Sequence, residues 1–352
     1  MRRRVGTWIQ EVWYDRRRAP APVALMLRAG EQVWKAGLWV HGRMGTSRES
    51  SDLPTIGITS PTAGGSGKTP VARWLATEMT AAGWDAAVIT RGHGGRLPGP
   101  VRVDTGMHSA RDVGDEPLWL ASHLGDIPVI VSRDRQAGIA AAQEQGAVVA
   151  VLDDVTMNRS IVLDAVVMVL GASGWIGNGK CLPAGPLRMP LPMIATPDIV
   201  VVVQESSTPP DGRHRASLLS QGAPVVSATA FPATVVAPDG NTSTPAKIRG
   251  MHVLSWAGIA RPWRFREVLL DMGVDIRGFV SFPDHHVYSR RDIDTLAKAA
   301  DRLDALPLTT AKDMARWPLD ARWRPHFLEM GLSIDEPDAV LQILIRRLET
   351  RA

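Results

Sequence analysis

The chain has 352 residues, 45% of them apolar and 22% charged, which is enough for two domains with separate cores and excludes a low-complexity or fibrous class. One cysteine, Cys181, excludes a disulfide framework and a cysteine-rich zinc site, and it fits a reducing compartment. The net charge of +4 is uneven: residues 1–48 carry ten Arg or Lys against three acids, a local charge of +7, so the remainder is slightly acidic. A basic arm of this kind suits either nucleic acid or an anionic membrane surface.

Arg2, Arg3 and Arg4 are followed by Thr7, Gln10, Glu11 and Asp15, which leaves no apolar stretch for a signal peptide. No transmembrane span is expected, because the run 21–27 stops at Arg28 and roughly 20 apolar residues are needed to cross a bilayer. Over 23–40 the spacing predicts an amphipathic helix. Val23, Met26, Leu27, Gly30, Val33, Trp34, Gly37 and Leu38 form its apolar stripe, with Arg28, Glu31, Gln32 and Lys35 opposite. Such a helix lies in a headgroup layer or packs on the protein's own core.

After a polar stretch, 45–52, strands and helices alternate. Strands are predicted at 55–59, 86–90, 128–132, 148–152, 165–170 and 199–203, and helices at 69–82, 116–124 and 135–145. Short apolar strands separated by helices imply an α/β fold with a mostly parallel sheet covered on both faces. A loose segment, 206–212, and a Pro/Gly-rich run, 231–245, suggest a change of domain. Beyond it come strand 251–256, helix 263–272, strand 276–282, helix 290–303, strand 306–309 and a last helix, 337–348. The expected division is a basic N-terminus (1–50), a P-loop domain (51–230) and a smaller α/β domain (231–352).

The sharpest local signal is Gly64-Gly65-Ser66-Gly67-Lys68-Thr69 between a strand and a helix. Glycines let backbone N–H groups converge on phosphate oxygens, and the next helix adds its own unpaired N–H donors. Lys68 then reaches the β- and γ-phosphates and the Thr69 hydroxyl reaches Mg²⁺. The full pattern asks for glycine where this chain has Thr62. Acids are also needed, for the metal and for the acceptor's proton. The strand at 148–152 runs into Asp153-Asp154, at the end where open sheets hold ligands. Gly114-Asp115-Glu116-Pro117 precedes a helix, so Asp115 is either a helix cap or a site acid. In Pro283-Asp284-His285-His286, Asp284 can orient His285, while His286 reads as a solvated turn residue.

Taken in order, these pieces resemble the tetraacyldisaccharide 4′-kinase family of lipid A assembly. The resemblance rests on the glycine loop through Pro70, on Arg91-Gly92 with Gly94-Gly95, on Gly114 to Pro117 and on Asp153-Asp154. It continues through Gly177-Asn178-Gly179 and the specific string Leu182-Pro183-Ala184-Gly185-Pro186-Leu187-Arg188. It ends with Ala257 to Pro262, Phe282 to Tyr288 and Thr309-Thr310-Ala311-Lys312-Asp313. The resemblance implies transfer of the ATP γ-phosphoryl to the 4′-hydroxyl of an acylated glucosamine disaccharide 1-phosphate. It also implies Mg²⁺, no nucleic acid, and a monotopic or peripheral protein on the cytoplasmic face of the bacterial inner membrane. Carried over by position, Asp115, His285 and Lys68 are catalytic, and Gly64 to Thr69 hold the nucleotide. Thr69, Glu116 and Asp153 serve the metal, while Asp154, Arg188 and Asn178 meet the acceptor.

Three departures from the family pattern stand out. Val155-Thr156-Met157-Asn158 replaces Gly-Phe-Gln with a following His or Asn, His93 replaces a tyrosine, and Thr59-Ser60 replaces Gly-Asn. Two alternatives remain at this stage: a diverged kinase for a related acylated disaccharide, and a nucleotide-dependent membrane switch.

Overall fold

The computed structural model describes residues 2–14, 17–43, 49–157, 160–172, 175–205, 219–318 and 320–351. The expected loop 206–212 and Asn158 lie outside them, as do residues 45–48 of the polar stretch 45–52.

Two helices open the chain, α1 (Arg2–Trp13) and α2 (Ala21–Arg43). The P-loop half follows as β1 (Thr55–Thr59), α3 (Lys68–Ala81), β2 (Ala86–Thr90), β3 (Val101–Arg102), α4 (Ala110–Val113) and α5 (Asp115–Leu124). It continues with β4 (Val129–Val131), α6 (Arg135–Glu144), β5 (Val149–Leu152), β6 (Ala165–Gly171) and β7 (Ile199–Glu205). Then come β8 (Val225–Val236), β9 (Thr242–Ser243), β10 (His252–Ala257), α7 (Pro262–Asp271), β11 (Asp275–Ser281) and α8 (Arg290–Leu303). The chain closes with β12 (Leu306–Thr310), α9 (Ala311–Met314), β13 (His326–Ile334) and α10 (Pro337–Glu349).

All the strands form one sheet in the order β11-β10-β12-β13-β8-β7-β6-β1-β5-β2-β4-β3, with β9 attached to β8. In the first half the pairing is parallel from β8 to β4. β1, β2, β4, β5 and β6 sit where the alternating pattern predicts them, because their residues are buried on both faces; the short, partly exposed β3 was not expected. Ile56 and Ile58 have no exposed surface, and burying each contributes about 1.5–3 kcal/mol.

The expected boundary at 231 falls inside β8. One end of that strand pairs in parallel with β7 and the other pairs antiparallel with β13, so the sheet crosses from one half to the other without a break. The C-terminal helix α10 returns to the first half: Val340, Leu344 and Leu348 join the core of Ile56, Leu75 and Val167. Arg351 and Arg347 pair with Asp164 and Asp198.

Helix α2 is turned differently from its predicted stripe. Glu31, expected on the water face, is buried. It accepts from the Cys181 N–H at 3.0 Å and pairs with Lys35 at 2.7 Å, which satisfies an otherwise orphaned donor. Leu25, Met26, Val33, Trp39 and Val40 face outward, Met26 and Val33 at 74% exposure. Among the described residues no helix is long and apolar enough to cross a membrane.

Candidate active site

The strand order places the site. β1 lies between β5 and β6, and the chain leaves β1 toward one side of the sheet and later crosses to the other. At such a switch point the strand ends open a crevice. The glycine loop emerges from β1 and ends at Gly67, whose φ of 92° is left-handed backbone. A Cβ there would stand 3.0 Å from Val203. Lys68 and Thr69 begin α3, and Thr69 is buried. The hydroxyl of Ser66 is buried with no hydrogen-bond partner among the described residues.

The string 182–188 is stitched to the run before this loop. Ala63 N–H donates to Pro186 O and Arg188 N–H to Pro61 O, each at 2.8 Å. Gly185 has no room for a side chain, since a Cβ would meet Asn178 Oδ1 at 2.1 Å. Asn178, expected at the acceptor, uses its amide inside this segment: Nδ2 donates to Ala184 O, and Oδ1 accepts from Lys180 N–H. The N-terminal helices hold the same segment from outside. Trp13 donates to Pro183 O, Trp34 donates to Arg188 O, and Glu31 accepts from Cys181.

Arg188 and Lys68 meet at Asp154. Arg188 Nη1 lies 2.6 Å from both Asp154 carboxylate oxygens, and Lys68 Nζ lies 3.9 Å from Oδ2. Burial pushes the Asp154 carboxyl up, but Lys68 and Arg188 outweigh it and hold the group at about 2. Lys68 is itself pulled down by burial, with Asp154 opposing. Asp153, also buried, rises to about 7 because it is desolvated beside Glu116 and Asp154, and its Oδ1 has no hydrogen-bond partner among the described residues. The elbow carrying both acids is gripped by the buried Arg135, which donates to Ile89 O and to the carbonyls of Asp153 and Asp154. Nothing in the local sequence of Arg135 announced that role.

Two of the departures from the family pattern touch each other. Thr59 donates to Thr156 Oγ1 at 3.0 Å, Thr156 Oγ1 accepts from Ser60 N–H at 3.0 Å, and it reaches Asp154 Oδ1 at 3.2 Å. The third departure, His93, lies 5.6 Å from His285, ring centre to ring centre.

Asp115 is the first residue of α5; Gly114 is the cap, and no side chain caps that helix. Asp115 is buried, and its oxygens lie 2.9 and 3.0 Å from His285 Nδ1, delivered by the loop after β11. Arg316 Nε adds a contact at 3.3 Å. Burial raises the Asp115 carboxyl, yet His285, Arg316 and Lys312 together hold it at about 2. His285 is raised, chiefly by its hydrogen bond to Asp115. Asp284 stands 3.8 Å from His285 Nε2, so the group orienting the imidazole through Nδ1 is Asp115. His286 is no solvated turn residue: it stacks on Phe282 at 4.6 Å and reaches Asp292.

Glu116, expected to face a metal, is paired with Lys312 at 2.7 Å. Arg316 was not singled out in the sequence and Lys312 was named there without a role, because their partners lie about two hundred positions away in the chain; the Lys312–Glu116 pair is separated by 196 residues. Arg264 donates to Gly65 O at 3.1 Å, and Arg261 packs beside Gly65 and over the Tyr14 ring at 4.1 Å. Beside Asp115 and His285 opens a cavity of about 780 Å³, walled in part by Trp119, Trp317, Arg111 and Arg324. Among the described residues no group of three or more His, Cys, Asp or Glu is arranged to hold a metal ion by itself.

A family model described as "LpxK: Tetraacyldisaccharide-1-P 4'-kinase" matches residues 22–349. The tetraacyldisaccharide 4′-kinase of Rhodospirillum centenum is 38% identical over 301 residues, 85% of each chain. That of Nitrobacter winogradskyi is 42% identical over 265 residues, 75% of each. In fold, the chain is similar to the crystal structure of LpxK from Aquifex aeolicus in complex with ATP. The TM-score is 0.71 at 21% identity, covering 93% of this chain and 99% of that one. With motifs, fold and relatives in agreement, the chain belongs to the tetraacyldisaccharide-1-phosphate 4′-kinase family.

Proposed function

We infer that this chain transfers the γ-phosphoryl group of ATP to the 4′-hydroxyl of a tetraacylated glucosamine disaccharide 1-phosphate, giving lipid IVA. The observation that carries the reading is the pairing of Asp115 with His285, brought from the two halves of the chain, in one charged cluster with the P-loop lysine. Lys68 and the loop amides bind the triphosphate, and the buried Ser66 hydroxyl supplies a further polar contact.

The donors Thr69, Glu116 and Asp153 are all oxygens, and the unpartnered Asp153 Oδ1 is what a hard cation would satisfy. They fit Mg²⁺, which keeps waters and phosphate oxygens in its shell rather than a protein cage. Bound there, Mg²⁺ offsets charge on the nucleotide phosphates.

Asp115 stays ionised and orients the acceptor hydroxyl, and its low proton affinity is tolerable because bond formation to the nucleophile lags in phosphoryl transfer. His285 in its neutral form, fixed by Asp115, is the stronger proton acceptor of the pair. Arg188 positions Asp154 beside Lys68 and stands ready for the acceptor, while Asn178 shapes the loop that carries it. The cavity beside Asp115 offers space for the acceptor. We also place the protein on the cytoplasmic face of the inner membrane, seated by the outward arc of α2. That arc supplies apolar surface, and the basic N-terminus supplies attraction to anionic lipid. The smaller C-terminal region, 231–352, covers the P-loop half through Arg261, Arg264, His285 and Lys312.

The test is the product mass after incubation with ATP, Mg²⁺ and a defined acylated disaccharide 1-phosphate in detergent. One added phosphate at the distal sugar is expected. Folded protein that hydrolyses ATP and leaves the lipid unmodified would favour a nucleotide-dependent membrane switch instead.

A further inference from the structure

We propose that Lys312 is a catalytic residue of the transfer, a second phosphate-contacting ammonium that leaves Glu116 for the transferred phosphoryl group when Glu116 turns to Mg²⁺. The proposal rests on the kinase reading above and adds a residue to which no role has been given.

Lys312 begins a rigid platform. It lies in α9, directly after β12, and the next residue, Asp313, has no exposed surface. Asp313 accepts from Gly258 N–H at 3.0 Å, Tyr288 OH at 2.7 Å, Thr310 Oγ1 at 2.6 Å and Arg316 Nη2 at 2.8 Å. A carboxylate with that many donors fixes its own turn, so the base of the Lys312 side chain is held while its four-carbon stem can swing.

Its target is set by neighbours on both sides. Lys312 Nζ lies 2.7 Å from Glu116 Oε1, and Glu116 adjoins Asp115 in sequence at the head of α5. A lysine is an ammonium at neutral pH, and this one sits against the Glu116 carboxylate at 2.7 Å. Lys68 acts on Glu116 as well, from the P-loop side. The transferred group has to pass between the nucleotide, at Lys68, and the hydroxyl, at Asp115. A cation within reach of Glu116 and Asp115 faces that path.

A purely structural fastener is the weaker reading of this contact. The two halves already share an unbroken sheet through β8, and α10 packs into the first core. Both partners of the Lys312–Glu116 pair are about a third exposed, and pairs that open contribute little to stability. During transfer the bond from the γ-phosphorus to the bridging oxygen breaks, with its electron pair remaining on ADP. The new bond forms to the acceptor oxygen, whose proton goes to the Asp115–His285 pair. Lys312 keeps its own proton throughout and offsets charge on the equatorial oxygens.

The experiment compares wild type, Lys312→Met and Lys312→Arg in the full-length protein. With ATP and the acylated disaccharide, kcat of Lys312→Met should fall at least ~10²-fold, while the ATP Kd changes by no more than about threefold; Lys312→Arg should recover part of the rate. A second readout is independent of turnover: Mn²⁺ titration without nucleotide, followed by electron paramagnetic resonance. Lys312→Met should bind Mn²⁺ several-fold more tightly than wild type, because Glu116 has lost its counter-ion. A kcat within about twofold of wild type, or an unchanged Mn²⁺ affinity, overturns the proposal even if the melting temperature falls. Wild-type protein that phosphorylates no lipid would instead sink the kinase reading, so the two failures are distinct.

Discussion

The indole N–H of Trp34 donates to the main-chain carbonyl of Arg188 at 2.8 Å, while the guanidinium of the same arginine grips Asp154 beside Lys68. One hydrogen bond therefore joins the helix with the outward apolar arc to the acids of the phosphate site. Trp34→Phe keeps the ring and removes only that donor, at a cost of about 1 kcal/mol if the carbonyl finds water. A several-fold loss in kcat/KM for the lipid is expected, with the KM for ATP unchanged. Equal losses for both substrates would show that the contact acts on the whole site rather than on the acceptor loop.

The Asp115–His285 pair has a definite pH signature. His285 is raised above its ordinary 6.5, so its contribution to stability is complete below about pH 6.5 and is lost as pH rises through the folded-state value. Asp115 is depressed from 3.8 to about 2, so its contribution is present above pH 3.8 and disappears only as pH falls toward 2. The stability gap between wild type and His285→Gln, read from urea midpoints, should be widest near ~pH 6 and narrow toward ~pH 9. In the kinase assay the wild-type rate should climb with pH above 6.5 as the imidazole becomes neutral, and the climb should vanish in the variant. A gap that widens with pH would mean that His285 is not held protonated by Asp115.

The alternation of short apolar strands placed β1, β2 and β5 to within a residue, because burial on both faces leaves an uninterrupted signal. The strands that join the halves were not legible. β8 contains Phe231 and Pro232, which read as a break, and the ladder with β13 absorbs the proline at an irregularity between Glu329 and Met330. Helix α1 was not read from the sequence either, although Val5, Trp8, Ile9, Val12 and Trp13 fall at helical spacing behind its three arginines. In the site, residues inside motifs were found and their partnerships across the chain were not. Asp115 and His285 stood out, whereas Arg316, Lys312 and Arg135 act through contacts with elements remote in sequence. Orientation was the other loss: the i, i+3, i+4 spacing located α2, but only the Cys181 N–H explains why Glu31 turns inward.

That inward turn shapes how membrane attachment should be tested. Deleting the N-terminal helices would also release the loop carrying Arg188, since Trp13, Glu31 and Trp34 all hold it. Met26→Glu combined with Val33→Glu charges only outward positions, each 74% exposed, and leaves the inner contacts alone. Binding to vesicles with anionic lipid should drop at least ~10-fold, given the cost of moving charge into an interface, while activity on acceptor in detergent micelles stays within about twofold. Undiminished vesicle binding would put the membrane contact elsewhere.

Thr156 stands where the family pattern has a different residue, and its hydroxyl serves Thr59, Ser60 and Asp154 at once. Thr156→Val preserves shape and strands the buried Ser60 N–H, a penalty of about 1–3 kcal/mol. Because Ser60 leads from β1 toward the phosphate loop, the loss should appear both in urea stability and as weaker ATP binding. Thr156→Ser restores the hydroxyl and should sit close to wild type in both measurements. If Thr156→Val matches wild type in ATP affinity, the contact between the two divergent segments does not govern the nucleotide loop. A drop in affinity reversed by serine would show that these substitutions work as a set, each supplying the polar partner that the other requires.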